Sequence, residues 1–348
     1  MKLFETVGDF FALDIGTTAV RALELRGAPG SWSLVRYGSA PVDMKVATSD
    51  SPEDRKRLAE VISNLITQAG ITTKNVAVGI PSNKTFVTIV DLPDVSHAEL
   101  ASTIKYQAEQ YIPMSLEEAK VDWSSLGKSM REENKVEVLL ASVANKFSED
   151  RLDLIEGIGL NVVAFEPDSI ALVRSLVPAG ANPASGALIM DIGDFSTDIV
   201  AVIGNTPRLV RSLPTGMQTL IKATEQNLSI DSAQASQFIL KFGLYPDRLE
   251  GQIYKALEGS LEQFVAEVNK TVKFFQTRYP NVPIGQCILS GYAVSVPAFN
   301  EYMTSKTSLP MVVGNPWQQI HYSTDQEQNL LQLAPKFAVA AGLAQRSA

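Results

Sequence analysis

Phe10-Phe11-Ala12-Leu13-Asp14-Ile15-Gly16-Thr17-Thr18-Ala19-Val20-Arg21 and Leu188-Ile189-Met190-Asp191-Ile192-Gly193-Asp194-Phe195-Ser196-Thr197 are two versions of one pattern, about half a chain apart. Each runs apolar, reaches Asp-Ile-Gly, turns through hydroxyl-bearing residues and enters a second apolar run, Val20 to Leu25 or Ile199 to Ile203. The pattern predicts strand, tight turn, strand, built twice. Glycine lets a backbone N–H come close to a ligand, and successive N–H groups at a turn form an anion-binding nest. A carboxylate ending the first strand would repel a phosphate unless a cation stood between them, so the pair predicts a metal–phosphate site. Facing one another across a cleft, two such hairpins would clamp a nucleotide.

The order of elements around the hairpins repeats as well. After the first come a strand at Trp32–Tyr37, a helix opened by Ser51 and Pro52 and closed by Gly70, and a strand at Val76–Ile80. After the second come a strand at Arg208–Leu213, a helix from Pro214 or Thr215 to Asn227, and, much later, a strand at Gln286–Ser290. Between those last two lie helices over Asp231–Phe242 and about Asp247–Tyr279. The longer one carries an apolar stripe of Ile253, Leu257, Leu261, Phe264, Val268, Val272 and Phe275 that predicts core packing. The first half has its insertion elsewhere: a strand Thr85–Val90, a helix Ala98–Tyr111, strands near Lys120–Leu126 and Val136–Val143, and a helix Ser148–Glu156. Strand Asn161–Phe165 and helix Asp168–Leu176 return to the module, and a small-residue helix, Pro335–Ala344, closes the chain. The fold class is therefore α/β with two duplicated modules, each carrying an inserted subdomain. The expected boundaries are 1–83, 161–180 and 335–348 for the first module and 84–160 for its insertion. The second module takes 181–220 and 285–334, with a helical insertion at 221–284.

Composition narrows the function. The 348 residues are 45% hydrophobic with a net charge of −8. The acidic balance argues against nucleic acid as a partner, which needs a basic footprint. No apolar run reaches the roughly eighteen residues that a membrane span needs. Acidic Glu5 interrupts any apolar leader at Met1–Glu5, and the single Cys287 cannot form an internal disulfide; both suit a cytoplasmic protein. Cys287, in an apolar strand, reads as a buried inert thiol. His97 and His321 stand far apart without a Cys or His at ligand spacing, which excludes a zinc site. Neither a G-x-S-x-G elbow nor a Walker loop is present.

These segments resemble the actin and Hsp70 ATPase superfamily, built from duplicated ribonuclease-H-like domains. LDIGTTAVR (Leu13–Arg21) is similar to its first phosphate loop and MDIGDFSTDIV (Met190–Val200) to its second. FEPDSIAL (Phe165–Leu172) resembles the first connecting helix, ILSGYAVSVPAF (Ile288–Phe299) the adenosine motif, and APKFAVAAGLA (Ala334–Ala344) the second connecting helix. Within that superfamily, QYIPMSLEEAKVDW (Gln110–Trp123), Val138–Leu172 and Glu267–Ala293 resemble the PilM family of type IV pilus assembly. The cell-division protein FtsA shares the insertion position but fits less well, because its C-terminal amphipathic helix has no counterpart after Gln345.

The resemblance implies ATP or ADP with Mg²⁺ between the hairpins. Asp14 and Asp191 would hold the metal through waters, and Gly16, Thr17, Thr18 and Gly193 would offer N–H groups to phosphate. Arg21 would neutralise charge, while Ser196, Gly216, Gly291 and Tyr292 would complete the nucleotide site. Glu166 falls where relatives place a water-orienting residue; acid at a helix start is the alternative reading. Departures from the pattern are Asp194-Phe195 in the second loop, Met217 after Gly216, Tyr292 in place of glycine, and Ser236 and Ile239 on the adenine helix. An added carboxylate within about 5 Å of phosphate would cost on the order of 1–3 kcal/mol of affinity. The implied role is a non-enzymatic cytoplasmic scaffold, at most a weak ATPase. It would be peripheral to the inner membrane without inserting into it, and would bind the cytoplasmic N-terminal tail of PilN in a groove between the first module and its insertion. Helix Ala98–Tyr111 and strand Thr85–Val90 would be the walls, with Leu100, Ile104 and Ala108 either lining the groove or packing their own subdomain. PilO and the pilus motor would be reached indirectly, and self-association is possible. The alternative is an active ATPase or a filament-forming protein of the FtsA type.

Overall fold

The computed structural model describes residues 9–346, so Met1–Glu5 lie outside the described residues. Contacts divide the chain into two units, one of Met1–Ser175, Pro316–Leu330 and Val339–Ala348, the other of Leu176–Asn315 and Leu331–Ala338.

The first unit opens with a meander of three antiparallel strands, β1 (Phe11–Ile15), β2 (Ala19–Arg26) and β3 (Trp32–Pro41). A short helix α1 (Met44–Thr48) and the longer α2 (Pro52–Ala69) lead to β4 (Asn75–Ile80). Both ends of α2 follow from local chemistry. The Ser51 hydroxyl accepts from the Asp54 N–H, Pro52 sits where no donor is needed, and Gly70 closes the helix at φ 68°. The insertion contains β5 (Thr85–Pro93), α3 (His97–Gln107), β6 (Ala119–Lys128), β7 (Lys135–Ala144) and α4 (Asn145–Glu156). Then β8 (Asn161–Pro167) and α5 (Asp168–Leu176) return to the module. The main sheet has the order β3-β2-β1-β4-β8, with β4 and β8 parallel to β1. Every residue of β1 is buried, as a continuous apolar run in a central strand demands.

The second unit repeats this scheme. Its strands β9 (Gly186–Ile192), β10 (Thr197–Ile203) and β11 (Thr206–Leu213) form the meander. Three helices follow: α6 (Met217–Leu228), α7 (Ser232–Phe242) and α8 (Gln252–Arg278). They precede β12 (Ile284–Gly291), α9 (Phe299–Thr307) and β13 (Met311–Val313). The sheet order is β11-β10-β9-β12-β13, with β12 and β13 parallel to β9. Strand for strand this is the order of the first unit. Ile253, Leu257, Leu261, Phe264, Val268 and Phe275 of α8 are buried in the core of this unit, as their spacing predicts.

Several elements differ from expectation. Residues 316–330, expected in the second module, belong to the first unit. Ile320–His321 adds a parallel edge strand to β3, the Trp317 Nε1–H donates to Leu330 O at 2.7 Å, and Asn329 donates to the Tyr37 hydroxyl at 2.8 Å. The last helix, α10 (Glu327–Ala344), starts before Pro335 and carries that proline inside it. Met44–Thr48, Phe299–Thr307 and Met311–Val313 are additional elements. Phe299–Thr307 follows Ala298 in a left-handed conformation at φ 61°, with no capping side chain to announce it.

Candidate functional site

The two hairpins close in the same way. In the first, Ile15 pairs with Val20 and the Gly16 N–H donates to Ala19 O at 3.0 Å. In the second, Ile192 pairs with Thr197 and the Gly193 N–H donates to Ser196 O at 2.9 Å. These two N–H groups were expected to face phosphate; instead they hold their own turns together. Neither glycine has positive φ. A Cβ on Gly16 would sit 3.0 Å from Ala19 O, and one on Gly193 3.1 Å from Ser196 O. The turn's own carbonyl therefore accounts for both glycines.

The carboxylates occupy equivalent register positions with opposite surroundings. Asp14 lies across from Arg21, and the guanidinium Nη1 donates to its Oδ2 at 3.1 Å in a buried pair. Burial pushes the Asp14 carboxyl above its ordinary pKa, opposed by the charge and hydrogen bond of Arg21. Asp191 lies across from Asp198, so the second hairpin juxtaposes two acids where the first has an ion pair. Like charges directly opposite one another on a sheet are unfavourable.

In the second unit the loop after Gly193 is fastened to the start of α6. Gly193 O accepts from the Met217 N–H at 3.0 Å, and Asp194 O accepts from the Gln218 N–H at 2.8 Å. A helix start is an anion site only while its N–H groups are available, and here two are taken by the loop itself. Gly216 is glycine for the same reason: a Cβ there would lie 2.6 Å from Gly193 O and from Asp194 C and O. The close approach expected toward a nucleotide is an approach to backbone. Thr197 joins in, donating its hydroxyl to Thr215 O at 2.7 Å. Gly291 pairs with Ile192 at φ 79°, where an added Cβ would be 2.3 Å from Ile192 O. Tyr292 follows as the first residue of a short 3₁₀ turn, with the Lys336 ammonium 6.0 Å from its ring. Asp191, Gly193, Ser196, Gly216 and Gly291 therefore converge at the carboxyl ends of β9 and β12. Ile239, fully buried, is core rather than pocket lining.

Glu166 stands on β8 level with Gly79 of β4, two strands from β1 and so about 10 Å from Asp14. Its carboxylate is wholly buried and held by two arginines. Arg174 donates through Nη1 at 2.7 Å to Oε1 and through Nη2 at 3.1 Å to Oε2, and Arg346 Nη1 reaches Oε2 at 2.7 Å. Arg174 also donates to Gly342 O at 2.7 Å. A carboxylate with both oxygens committed ties β8, α5 and the chain's end together; it is not placed to orient a water. Its partners lie 8 and 180 residues away, and nothing in the sequence pattern links Arg346 to it.

A tightly held Mg²⁺–nucleotide does not fit these residues. Asp14 is taken by Arg21, Gly16 and Gly193 donate inward, and the start of α6 is capped by carbonyls. Among the described residues no group of three or more His, Cys, Asp or Glu could hold a metal, and no helix is long and apolar enough to cross a membrane.

The insertion forms a three-stranded sheet in the order β5-β7-β6. Leu100, Ile104 and Ala108 of α3 are buried against Val90, Leu92, Val136, Val138 and Leu140, so they pack their own subdomain and do not line a groove. The same sheet face also carries Phe86 and Thr88 of β5, Ser142 of β7, and Val121 and Trp123 of β6, the last two packed against the edge of that cluster. Here Phe86, Thr88, Val121 and Trp123 are half-exposed, and the His97 ring lies 4.9 Å from that of Trp123.

The family model of the type IV pilus assembly protein PilM matches residues 12–348. A solved PilM-PilN type IV pilus biogenesis complex is similar over 97% of this chain and 98% of that one, at 23% identity and a TM-score of 0.84. The ethanolamine utilization protein EutJ from Carboxydothermus hydrogenoformans aligns over 99% and 91% of the two chains, at 13% identity and a TM-score of 0.56. MreB5 of Spiroplasma citri bound to ADP aligns over 96% and 94%, at 12% identity and a TM-score of 0.55. At these identities the likeness establishes the fold, which is that of the actin-like ATPases. The chain belongs to the PilM family of type IV pilus assembly proteins.

Proposed function

We propose that the chain is a non-enzymatic scaffold at the cytoplasmic face of the inner membrane, where it grips the cytoplasmic N-terminal tail of PilN. PilO and the pilus motor are then reached through that partner. Family membership supports the setting, and the PilM-PilN complex of a relative supports the partner. The observation that carries the scaffold reading is the commitment of both phosphate hairpins, and of Glu166, to partners within the chain. Mg²⁺ with ATP or ADP binds weakly if at all, and hydrolysis is not a function of these residues.

For the partner, the insertion offers the half-exposed shelf of Phe86, Thr88, Val121 and Trp123. An apolar shelf beside a helix suits a short peptide that inserts a few side chains. Trp123 gives the test its signal, because Trp32 and Trp317 are buried. A peptide of the PilN tail is expected to shift the Trp123 emission and to protect residues 84–160 from hydrogen exchange. Trp123→Ala is expected to weaken it about tenfold, as loss of a half-buried aromatic contact implies. Protection confined to residues 214–285, or no binding by the peptide, would refute the assignment.

A further inference from the structure

We propose that Lys84, Phe147 and Arg151 form a binding site for a phosphate group, presented either free in solution or on a lipid headgroup. The site is distinct from the peptide shelf and does not depend on it. It lies where the chain leaves the first module and comes back: Lys84 ends the turn between β4 and β5, and Phe147 and Arg151 are on α4. Two cations share one aromatic ring there, the Arg151 guanidinium 5.4 Å and the Lys84 ammonium 5.8 Å from the Phe147 centroid. Each gains from the ring's negative face, but a ring does not neutralise two charges.

Neighbouring acids are engaged elsewhere. Asp150 takes Arg55 at 2.8 Å and Lys146 at 2.7 Å, while Glu149 faces Lys120 at 3.6 Å. Asp50 acts on Arg151 only from beyond ion-pair distance, and Arg151 makes no ion pair or hydrogen bond among the described residues. Burial draws the guanidinium below its usual pKa; the charge of Asp50 opposes this, and the smaller like-charge effect of Arg55 adds to it. A half-buried guanidinium with no acid at ion-pair distance is costly unless an anion completes it. The first turn of α4 contains no acidic residue and receives no side-chain cap. A planar fork and an ammonium on one ring suit a compact tetrahedral oxyanion.

The test uses the full chain and inorganic phosphate, followed by amide NMR. Phosphate is expected to shift the amide signals of Lys84, Lys146 and Phe147. Lys84→Ser and Arg151→Gln are each expected to weaken it about tenfold, the loss of one charge-assisted contact. Lys84 is exposed, so Lys84→Ser should retain wild-type melting and serves if Arg151→Gln folds poorly. Cosedimentation with phosphatidylglycerol vesicles but not phosphatidylcholine vesicles, lost in Lys84→Ser, would identify the headgroup as the source. Phosphate binding without vesicle binding would identify the free ion. Amide signals that do not move with phosphate, or that move equally in both variants, would overturn the site.

Discussion

Replacing Glu166 with alanine separates a structural carboxylate from a catalytic one. The side chain is fully buried, and the removed group accepts three hydrogen bonds from two guanidiniums, at 2.7, 3.1 and 2.7 Å. Arg346 is itself buried, so the substitution removes the carboxylate that it shares with the partly exposed Arg174. Removing one partner of a buried ion pair costs about 3–5 kcal/mol, because the remaining charge stays desolvated. Arg346→Met takes away only one of the three contacts and leaves Glu166 with Arg174, so its cost should be nearer 2 kcal/mol. In the double variant the buried Arg346 charge is gone as well. Its destabilisation should therefore fall short of the sum by about 1–3 kcal/mol. Urea unfolding followed by the fluorescence of Trp32 and Trp317, both buried in the first unit, measures all three variants. A Glu166→Ala protein within about 0.5 kcal/mol of wild type would refute this reasoning and restore the water-orienting role.

Three further outcomes are expected. Gly216→Ala should destabilise the second unit by about 2–5 kcal/mol in urea unfolding, combining overpacking at 2.6 Å with the loss of two capping hydrogen bonds; a neutral variant would mean the loop does not sit on α6. Cys287, whose thiol burial pushes up to about 12, should resist a thiol reagent at pH 8 in the native protein and react at once in urea. Calorimetry with Mg–ATP should give no submicromolar binding, and phosphate release should stay at background; tight binding with steady turnover would favour the active ATPase.

The parts of the fold that were legible in the sequence are those fixed by local chemistry. Ser51, Pro52 and Gly70 delimit α2 because capping and left-handed closure act over a few residues. Asp231 and Gly243 do the same for α7. The Asp-Ile-Gly repeat disclosed the duplicated hairpins because tight turns between apolar runs need that composition. Where the structure departs, the cause lies far away along the chain. Residues 316–330 carry no periodic pattern, and their place in the first unit depends on pairing with Trp32–Ser33. Pro335 reads as a helix start, yet α10 passes through it; the carbonyl of Pro335 accepts from the Ser290 hydroxyl at 3.3 Å. The candidate site was legible in its members but not in its hydrogen bonds. A glycine that admits a ligand and a glycine that admits its own turn's carbonyl look the same in sequence.

That ambiguity bears on what the duplicated hairpin can do. Its geometry is conserved between the two units of this chain: a four-residue turn closed by the same N–H to the same carbonyl position. Its electrostatics are not. The first copy balances Asp14 with Arg21, so its carboxylate has a cation before any metal arrives. The second opposes Asp191 with Asp198 and adds Asp194 in the loop, while the carbonyls of Gly193 and Asp194 use the donors at the start of α6. In the second hairpin the carbonyls of Gly193 and Asp194 thus occupy donors that a phosphate would need. Restoring donors would require unfastening the second loop from α6, at the cost of two hydrogen bonds, about 1–3 kcal/mol. The same two bonds hold loop and helix in fixed register, which is what a scaffold requires and what a loop that must adapt to successive nucleotide states does not. Rigidity and weak nucleotide affinity are then two consequences of one arrangement, and loosening that loop should change both together.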